Sequence, residues 1–114
     1  ITLFGDGEQT RDFTFVTDAV AATVAAGDQG GLGRAYNVGG GSRVSVNRLF
    51  ELIGRIHGRP LEIRREPDQK GDMRDTFADT TRARSDLGFL PNVSLEQGLE
   101  AEYHWLANTP ALVR

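Results

Sequence analysis

Three charged side chains in glycine-containing segments could bind an anionic ligand. Arg11 follows a turn in which glycines flank Asp6, and both Asp72 and Arg74 lie in the charged segment 65–78. An arginine stays charged, and its guanidinium can donate to two phosphate oxygens at once. An aspartate carboxylate can accept hydrogen bonds from two hydroxyl groups, as on a ribose. Each residue alone is as readily part of a surface ion pair of little energetic value, so both interpretations stay open at this point.

Short strands flank these residues. Alternation of apolar and polar positions predicts four strands, at residues 1–4, 12–16, 35–38 and 61–64. The glycines at 5 and 7 predict a tight polar turn between the first two strands, and those at 39–41 predict a loop that lies close to other backbone. The segment 65–78 has no apolar period and is predicted to be a long functional or disordered loop.

Three main helices and one short helix complete the prediction. The first has Thr17 as N-cap and ends near Gly27, the second runs from an N-cap at Ser45 to Gly58, and the last begins with a capping box of Ser94 and Gln97. A short helix capped by Asp79 and ending near Gly88 is also predicted. The apolar faces expected from helical spacing are Ala19, Val20, Thr23 and Val24; Val46, Leu49, Phe50, Ile53 and Ile56; and Leu95, Leu99, Tyr103 and Leu106. The fold class is therefore a small mixed α/β domain.

Composition limits the possible functions. The 114 residues are enough for one domain, and a net charge of -3 argues against a general nucleic-acid binder. There are no cysteines, and His57 and His104 have no ligand partners at metal spacing, so no metal site is expected. No apolar run approaches the ~20 residues of a membrane span, and no signal peptide is recognised, so we expect no membrane partner and a cytoplasmic location. The chain begins with Ile1 in an apparent strand, from which we expect a fragment of a longer protein.

No dinucleotide-binding loop is predicted. In the pattern G-x-G-x-x-G, the third glycine would fall on Thr10 after the first glycine pair and on Val44 after the second. The chain itself is therefore expected to bind no cofactor.

Three motifs in order resemble the C-terminal third of an extended short-chain dehydrogenase/reductase. They are Ile1-Thr-Leu-Phe-Gly-Asp-Gly-Glu-Gln-Thr-Arg-Asp-Phe-Thr-Phe-Val-Thr-Asp18; Tyr36-Asn-Val-Gly-Gly-Gly41 with Ser45-Val46; and Lys70-Gly-Asp-Met-Arg-Asp-Thr-Phe-Ala-Asp79 with Leu87-Gly-Phe89. The similarity is to the NAD-dependent nucleotide-sugar epimerase/dehydratase family, which includes UDP-glucose 4-epimerase, and it extends over essentially the whole chain.

The resemblance implies that residues 1–114 form a nucleotide-sugar-binding C-terminal lobe, which closes on an NAD-binding Rossmann domain absent from this chain. By the same resemblance, Thr2, Leu3 and Phe4 match the strand that holds the uracil or other base. Arg11 matches the arginine on the pyrophosphate, and Asp72 matches the acid on the ribose. Family members often have arginine where this chain has Gln69, three residues before that acid. Some relatives acting on uronic-acid nucleotides are similar in having glutamine there, which implies a weaker hold on phosphate.

The resemblance also implies what the chain lacks. Catalysis in this family resembles a hydride shuttle in which a Tyr-x-x-x-Lys pair takes a proton from a sugar hydroxyl while NAD takes the hydride. Here Tyr36 is followed four residues later by Gly40, and Tyr103 by Ala107. No catalytic residue is therefore expected in this chain, although its parent would be an NAD-dependent epimerase or dehydratase.

Two functions follow as hypotheses. The chain is either the substrate-binding lobe of such an enzyme, inactive alone, or a stand-alone module that associates with itself and binds nucleotide weakly or not at all. A lobe without its Rossmann partner would expose the apolar surface that faced that domain, which predicts a homo-oligomer. The sugar, the base, the choice among epimerisation, dehydration and decarboxylation, and a natural short protein versus a truncated one all stay open.

Overall fold

Pairing between distant segments produces two small sheets, and the helices pack mainly against one another. The computed structural model describes residues 1–109. In chain order the elements are β1 (Thr2–Phe4), β2 (Thr10–Asp12), α1 (Val16–Gln29), β3 (Arg43–Ser45), α2 (Val46–His57), β4 (Arg64–Glu66), α3 (Thr81–Leu87) and α4 (Leu95–Asn108). Within the described residues this gives the expected mixed α/β domain of four short strands, three longer helices and one short helix.

Each sheet has two strands. β1 pairs in parallel with β4, so that Thr2 lies opposite Arg64 and Phe4 opposite Glu66. β2 pairs antiparallel with β3, and a single parallel bridge joins Thr10 to Asp75 in the long loop. The β1–β4 pairing and the Thr10–Asp75 bridge thus bring residues near 65–75 to the turn between β1 and β2.

Two predicted strands are displaced and one is absent. The strand expected at 12–16 lies at 10–12, that expected at 61–64 lies at 64–66, and residues 35–38 form no strand. Tyr36 and Val38 instead pack against the apolar core while their backbone has no strand partner. The alternation at 35–38 therefore reflects side-chain packing and does not reflect ladder pairing.

The core lies between α1 and α3. Four buried residues form it, each at most 5% exposed: Ala22, Ala83, Leu87 and Phe89. Asp18 is also buried, and its two carboxylate oxygens accept hydrogen bonds from the backbone N–H groups of Asn92 and Val93, each at 3.1 Å. These bonds join the start of α1 to the chain before α4.

The predicted cap and apolar face of α1 are wrong. The N-cap is Phe15, which makes no side-chain capping bond, and the helix continues past Gly27 to Gln29. The buried residues are Asp18 and Ala22, whereas Val20 and Val24 are more than half exposed. Helix spacing could not identify the buried face, because apolar residues occur nearly all round this helix.

The predictions for α2 and α4 are confirmed at their N-termini. The Ser45 hydroxyl accepts from Arg48 N at 3.2 Å, and Ser94 and Gln97 form the predicted capping box. Gly58 ends α2 with φ +81°, a left-handed conformation that favours glycine. The five predicted apolar residues of α2 are half-buried, and Leu52, outside that set, is the buried residue of this helix. α4 packs against α2, although Leu106 of its predicted face is 41% exposed.

The glycine run at 39–41 packs closely against the end of β2. Gly40 N donates to Asp12 Oδ1 at 2.8 Å, and a Cβ at Gly40 would lie 1.8 Å from the carbonyl oxygen of Phe13. Asp12 Oδ2 also accepts from Ala78 N at 3.2 Å. The predicted close backbone approach is confirmed, and it joins β2 to both the glycine loop and the end of the charged loop.

The helices of residues 1–109 are all too short, or too polar, to cross a lipid bilayer.

Candidate nucleotide-binding site

The turn between β1 and β2 takes the conformation that its glycines predict. Gly5 has φ +76° and Gly7 has φ +81°, both in the left-handed region. A Cβ at Gly5 would lie 2.3 Å from Asp68 Oδ1, so the absence of a side chain here also lets the charged loop pack against the turn. Asp6 Oδ1 accepts from Glu8 N at 2.9 Å, which closes the turn.

The charged loop runs alongside β2. Thr10 N donates to the carbonyl of Arg74 at 2.9 Å, and Thr76 N donates to the carbonyl of Thr10 at 3.2 Å. The Thr10 hydroxyl also donates to the Asp75 carboxylate. The segment 72–76 is therefore fastened by backbone bonds beside Arg11, although the sequence predicted only a long loop there.

Two ion pairs join the loop to the turn and β2. In one the arginine lies on β2 and the aspartate in the loop, and in the other the arginine lies in the loop and the aspartate in the turn. Arg11 Nη2 donates to Asp72 Oδ1 at 2.6 Å, and Arg74 Nη1 donates to Asp6 Oδ1 at 2.8 Å. The hydrogen bond from Arg74, together with that from Glu8 N, holds the pKa of Asp6 below its ordinary value. The same bond to Asp6 raises the pKa of Arg74. The charged residues singled out in the sequence are thus brought together, and they are bonded to one another or to Asp6.

A pocket of about 190 Å³ lies between β1 and this loop. Its lining residues are Phe4, Gln9, Asp68, Gln69, Asp72, Met73 and Arg74. Three of the six predicted site residues, Phe4, Gln69 and Asp72, therefore line one pocket, and Arg11 is hydrogen-bonded to one of them. The lining thus holds two carboxylates, two amides, one guanidinium and an aromatic ring, so it offers hydrogen-bond acceptors and donors beside a ring face.

Thr2 and Leu3 take different positions on β1. Leu3 is 3% exposed, so its side chain lies in the interior, whereas Thr2 is exposed. Arg64 N donates to Ile1 O and Gly5 N donates to Glu66 O, both at 2.9 Å. Because bonding alternates along a parallel strand, the backbone groups of Thr2 point away from β4. By the same alternation the backbone groups of Leu3 face β4, so Leu3 offers a ligand neither its side chain nor its backbone.

Sequence reasoning missed three residues of the pocket. Gln9 Nε2 donates to the carbonyl of Phe4 at 3.0 Å, which ties the turn back onto β1. Asp68 lies beside Gly5, and Met73 is 63% exposed at the pocket wall. The positive φ expected at Gly5 was the one signal available, since it indicates a close neighbour without identifying it.

A larger groove of about 1020 Å³ runs along α2 and contains none of the predicted site residues. Four arginines line it: Arg48, Arg55, Arg59 and Arg65. Their guanidinium groups are bonded to neighbouring protein groups, as Arg48 is to Glu51 at 2.9 Å and Arg55 to Glu96 at 3.0 Å. Size alone does not make this groove the candidate site.

Both tyrosines make structural contacts. The Tyr36 hydroxyl donates to Asp86 Oδ2 at 3.2 Å and accepts from Gly31 N at 2.9 Å. The Tyr103 ring packs edge-on against His57 with centroids 5.9 Å apart. Throughout residues 1–109, no three His, Asp or Glu side chains are grouped so as to hold a metal ion.

The model of the GDP-mannose 4,6-dehydratase family matches residues 1–101. The chain belongs to this family. It is 41% identical to UDP-glucose 4-epimerase of Mycolicibacterium smegmatis, over 93% of this chain and 34% of that protein. It is 32% identical to UDP-glucuronate 4-epimerase of Thermodesulfobacterium geofontis, over 100% of this chain and 35% of that protein. The chain therefore spans about a third of the length of the curated relatives it matches.

Solved structures agree with this membership. UDP-glucuronic acid 4-epimerase from Bacillus cereus, in complex with UDP-glucuronic acid and NAD, superposes with a TM-score of 0.86 at 36% identity, over 93% of this chain and 34% of that chain. UDP-glucose 4-epimerase from Thermotoga maritima, with UDP-glucose, gives a TM-score of 0.84 at 39% identity, over 94% of this chain and 35% of that chain. The resemblance to NAD-dependent nucleotide-sugar enzymes is confirmed at this level.

Proposed function

We propose that this chain is the C-terminal, nucleotide-sugar-binding lobe of an NAD-dependent UDP-sugar epimerase or dehydratase. The observation that supports this most directly is the meeting of β1 with the 69–74 loop. There Phe4, Gln69 and Asp72 line one pocket, and Arg11 is bonded to Asp72. Family relatives that bind UDP-sugars and NAD in their solved structures strengthen the proposal.

Each residue then has a distinct role. The Arg11 guanidinium binds the pyrophosphate, because two oxygens can accept from it in parallel. Asp72 accepts from the ribose hydroxyls, and Gln69 donates its amide to a phosphate oxygen. The base lies along β1, where Phe4 offers a ring face, the backbone groups of Thr2 point outward, and Leu3 orders the strand from within.

Catalysis would require a further domain. In such enzymes NAD takes the hydride from the sugar, and the Tyr-x-x-x-Lys pair that takes the proton is missing from this sequence. We propose that both belong to a Rossmann portion outside these 114 residues, and that the chain alone has no epimerase activity. An assay with NAD and UDP-glucose should give no turnover, and measurable turnover would contradict this part of the proposal.

Calorimetric titration of UDP, UDP-glucose and dTDP into the chain tests binding. A half-site with a few charge-assisted hydrogen bonds is expected to bind at about 1 mM. Arg11→Ala should abolish the signal, because it removes the cation that the pyrophosphate needs.

Arg34→Ala is the matched control. Arg34 forms a comparable exposed ion pair, 3.1 Å from Asp86, but does not line the pocket. This variant should bind as the wild type does. Equal loss of binding in both variants would mean that general charge attracts the nucleotide, and no binding by the wild type would reject the nucleotide-binding lobe.

The self-associating module is kept as a second candidate because of the outer face of α1. Val16, Val20 and Val24 are between 55% and 63% exposed and share one helix face. The only charged residue between positions 16 and 27 is Asp18, which is buried. We propose that this uncharged face binds a second copy of the chain, since no like charges would oppose that contact.

Val20→Glu tests this association. The wild type should have a dimer mass by light scattering at high concentration, and the variant should be a monomer. Ala107→Glu, on an exposed position of α4, should leave the dimer intact. A monomeric wild type would count against the association without affecting the nucleotide proposal.

A further inference from the structure

The groove along α2 is separate from the candidate nucleotide site. Its volume is about 1020 Å³, and it shares no lining residue with the pocket between β1 and the charged loop. Asn47, Phe50 and Gly54 line it at the three- and four-residue spacing that places side chains on one face of a helix. Leu52, the buried residue of α2, does not line it. The groove therefore follows a side of α2 other than the one that Leu52 packs into the interior.

Four apolar side chains line this groove, and together they are called its apolar patch: Phe50, Pro60, Leu61 and Ile63. Phe50 and Leu61 are half-buried, and Ile63 is 38% exposed. A partner that covered this patch would gain the free energy of removing apolar surface from water. The patch therefore favours a partner with an apolar face of its own.

The same groove carries an excess of positive charge, although the net charge of the chain is -3. Four arginines and two glutamates line it: Arg48, Arg55, Arg59, Arg65, Glu8 and Glu51. Glu96 of α4 pairs with Arg55 from outside the lining, and four arginines against three glutamates still leave one positive charge in excess. The groove therefore favours a partner that is acidic as well as apolar.

Arg59 and Arg65 can receive a carboxylate without breaking an ion pair. No salt bridge of residues 1–109 involves either of them. Arg59 Nε donates to His57 Nε2 at 2.7 Å. Arg65 donates to the carbonyl of Asp6 at 2.9 Å and to Asn47 Oδ1 at 3.3 Å. Since a guanidinium has five N–H donors, both arginines keep donors for a partner.

We propose that this groove binds an acidic amphipathic helix of a partner protein. The apolar side of that helix covers the apolar patch, and its carboxylates pair with Arg59 and Arg65, as in other complexes in which a helix lies in a groove. The 12 residues of α2 span about 18 Å, so the groove suits a partner helix of about three turns. A nucleic acid is disfavoured, because its phosphate backbone gains nothing from the apolar patch. The proposal goes beyond the nucleotide site and does not depend on it.

A synthetic peptide of leucine and glutamate tests the proposal with the full chain. The peptide has about three to four helical turns, leucines three and four positions apart on one face, and glutamates elsewhere. Its binding is measured by fluorescence anisotropy of a labelled copy, and added salt should weaken it. The same peptide with lysine in place of glutamate, and a scrambled peptide that lacks the leucine face, should both bind much more weakly.

Arg59→Glu should weaken binding of the acidic peptide about tenfold, because an attractive pair becomes a repulsive one. Arg82→Glu is the matched control. It changes the net charge equally, at an exposed position of α3 that does not line the groove, and it should leave the affinity unchanged. Ile63→Ser should also weaken binding, since it removes part of the apolar patch. Circular dichroism verifies that each variant is folded.

NMR spectra of the ¹⁵N-labelled chain locate the contact. The acidic peptide should shift the amide signals of Gly54, Leu61 and Ile63 and leave those of Val20 and Val24 on α1 unchanged. Shifts confined to α1 would reject the groove as the binding surface.

Other outcomes would overturn the proposal as well. No binding of the acidic peptide would reject it, and so would equal binding of the lysine peptide or equal losses in Arg59→Glu and Arg82→Glu. A thymidine oligonucleotide of the same charge that bound as tightly would mean that the groove attracts any polyanion. Arg59→Glu should bind UDP as the wild type does, because Arg59 lies outside the nucleotide pocket. Failure of this proposal is therefore distinguishable from failure of the proposed function.

Discussion

The α1–α3 core and the turn-and-loop region around β2 are held together by different interactions. Between α1 and α3, side chains with at most 5% exposure pack together, and the Asp18 carboxylate is buried with both oxygens bonded. Around β2, the contacts are backbone bonds and ion pairs between exposed groups, and Met73 and Phe77 are more than half exposed. Burial makes the first region costly to change, whereas water and salt can replace most side-chain contacts of the second.

This contrast suits a binding site on a stable support. The Asp12 carboxylate ties the end of the charged loop at Ala78 to the glycine run, whereas the ion pairs along the loop are exposed. Three substitutions test the contrast.

Leu87→Ala should have the largest effect. Leu87 is 5% exposed in the α1–α3 core, and truncation leaves a cavity that costs about 2–5 kcal/mol of the free energy of unfolding. Urea denaturation measures the loss. Leu90→Ala is the matched control, since Leu90 is 61% exposed and its truncation should change stability by less than about 0.5 kcal/mol. Similar losses for both leucines would break the contrast.

Asp18→Ala should have an intermediate effect. It leaves the backbone N–H groups of Asn92 and Val93 without the carboxylate that accepts from them, which should cost about 1.5–3 kcal/mol because hydrogen bonds to a charged group are the stronger ones. Asp18→Asn keeps one acceptor oxygen and should lose less. Asp28→Ala, at an exposed position of the same helix, serves as control in the same denaturation series. If Asp18→Ala behaved like Asp28→Ala, the link from α1 to the chain before α4 would carry no stability.

Arg74→Ala should have the smallest effect on stability and a clear effect on titration. The pKa of Asp6 lies below its ordinary value of 3.8 mainly because Arg74 donates to it, so the variant should raise that pKa towards 3.8. A depressed carboxyl pKa contributes stability that is present above pH 3.8 and is lost as the pH falls through the folded-state pKa. The variant should therefore lose less stability on acidification than the wild type.

Carboxyl ¹³C titration by NMR measures this change. Asp79 is the internal control, because hydrogen bonds from Thr81 lower its pKa without any contribution from Arg74. Added salt should shift Asp6 in the wild type in the same direction as the substitution. If neither Arg74→Ala nor added salt changed the pKa of Asp6, the backbone hydrogen bonds of the turn, and not the ion pair, would be responsible for its low value.

Local features of the fold could be predicted because neighbouring residues determine them. Ser45 and Ser94 cap their helices through residues three positions away, and Gly58 ends α2 by its own backbone freedom. The resemblance to nucleotide-sugar enzymes was similarly available, since three ordered motifs carry it and the family match over residues 1–101 confirms it. Site assignments for Thr2, Leu3, Phe4, Arg11, Gln69 and Asp72 remain predictions.

Features that depend on distant partners could not be predicted. The α1 sequence is apolar on two sides, and only packing with α3 and the bonds to Asn92 and Val93 identify the buried one. The strand at 43–45 was missed because its partner is β2, more than thirty residues earlier in the chain. The periodicity of apolar residues describes a single helix or strand, whereas burial and strand pairing depend on contacts between two such elements.

The sequence by itself determined the family and the N-terminal caps of α2 and α4, because these depend on ordered motifs or on local chemistry. Only the tertiary structure decided that Arg11 and Asp72, 61 positions apart, are bonded to each other. It did so through the backbone bonds that align residues 74–76 with β2. The physical reason is that opposite charges pair when the fold brings them within reach, and no spacing along the chain encodes that distance.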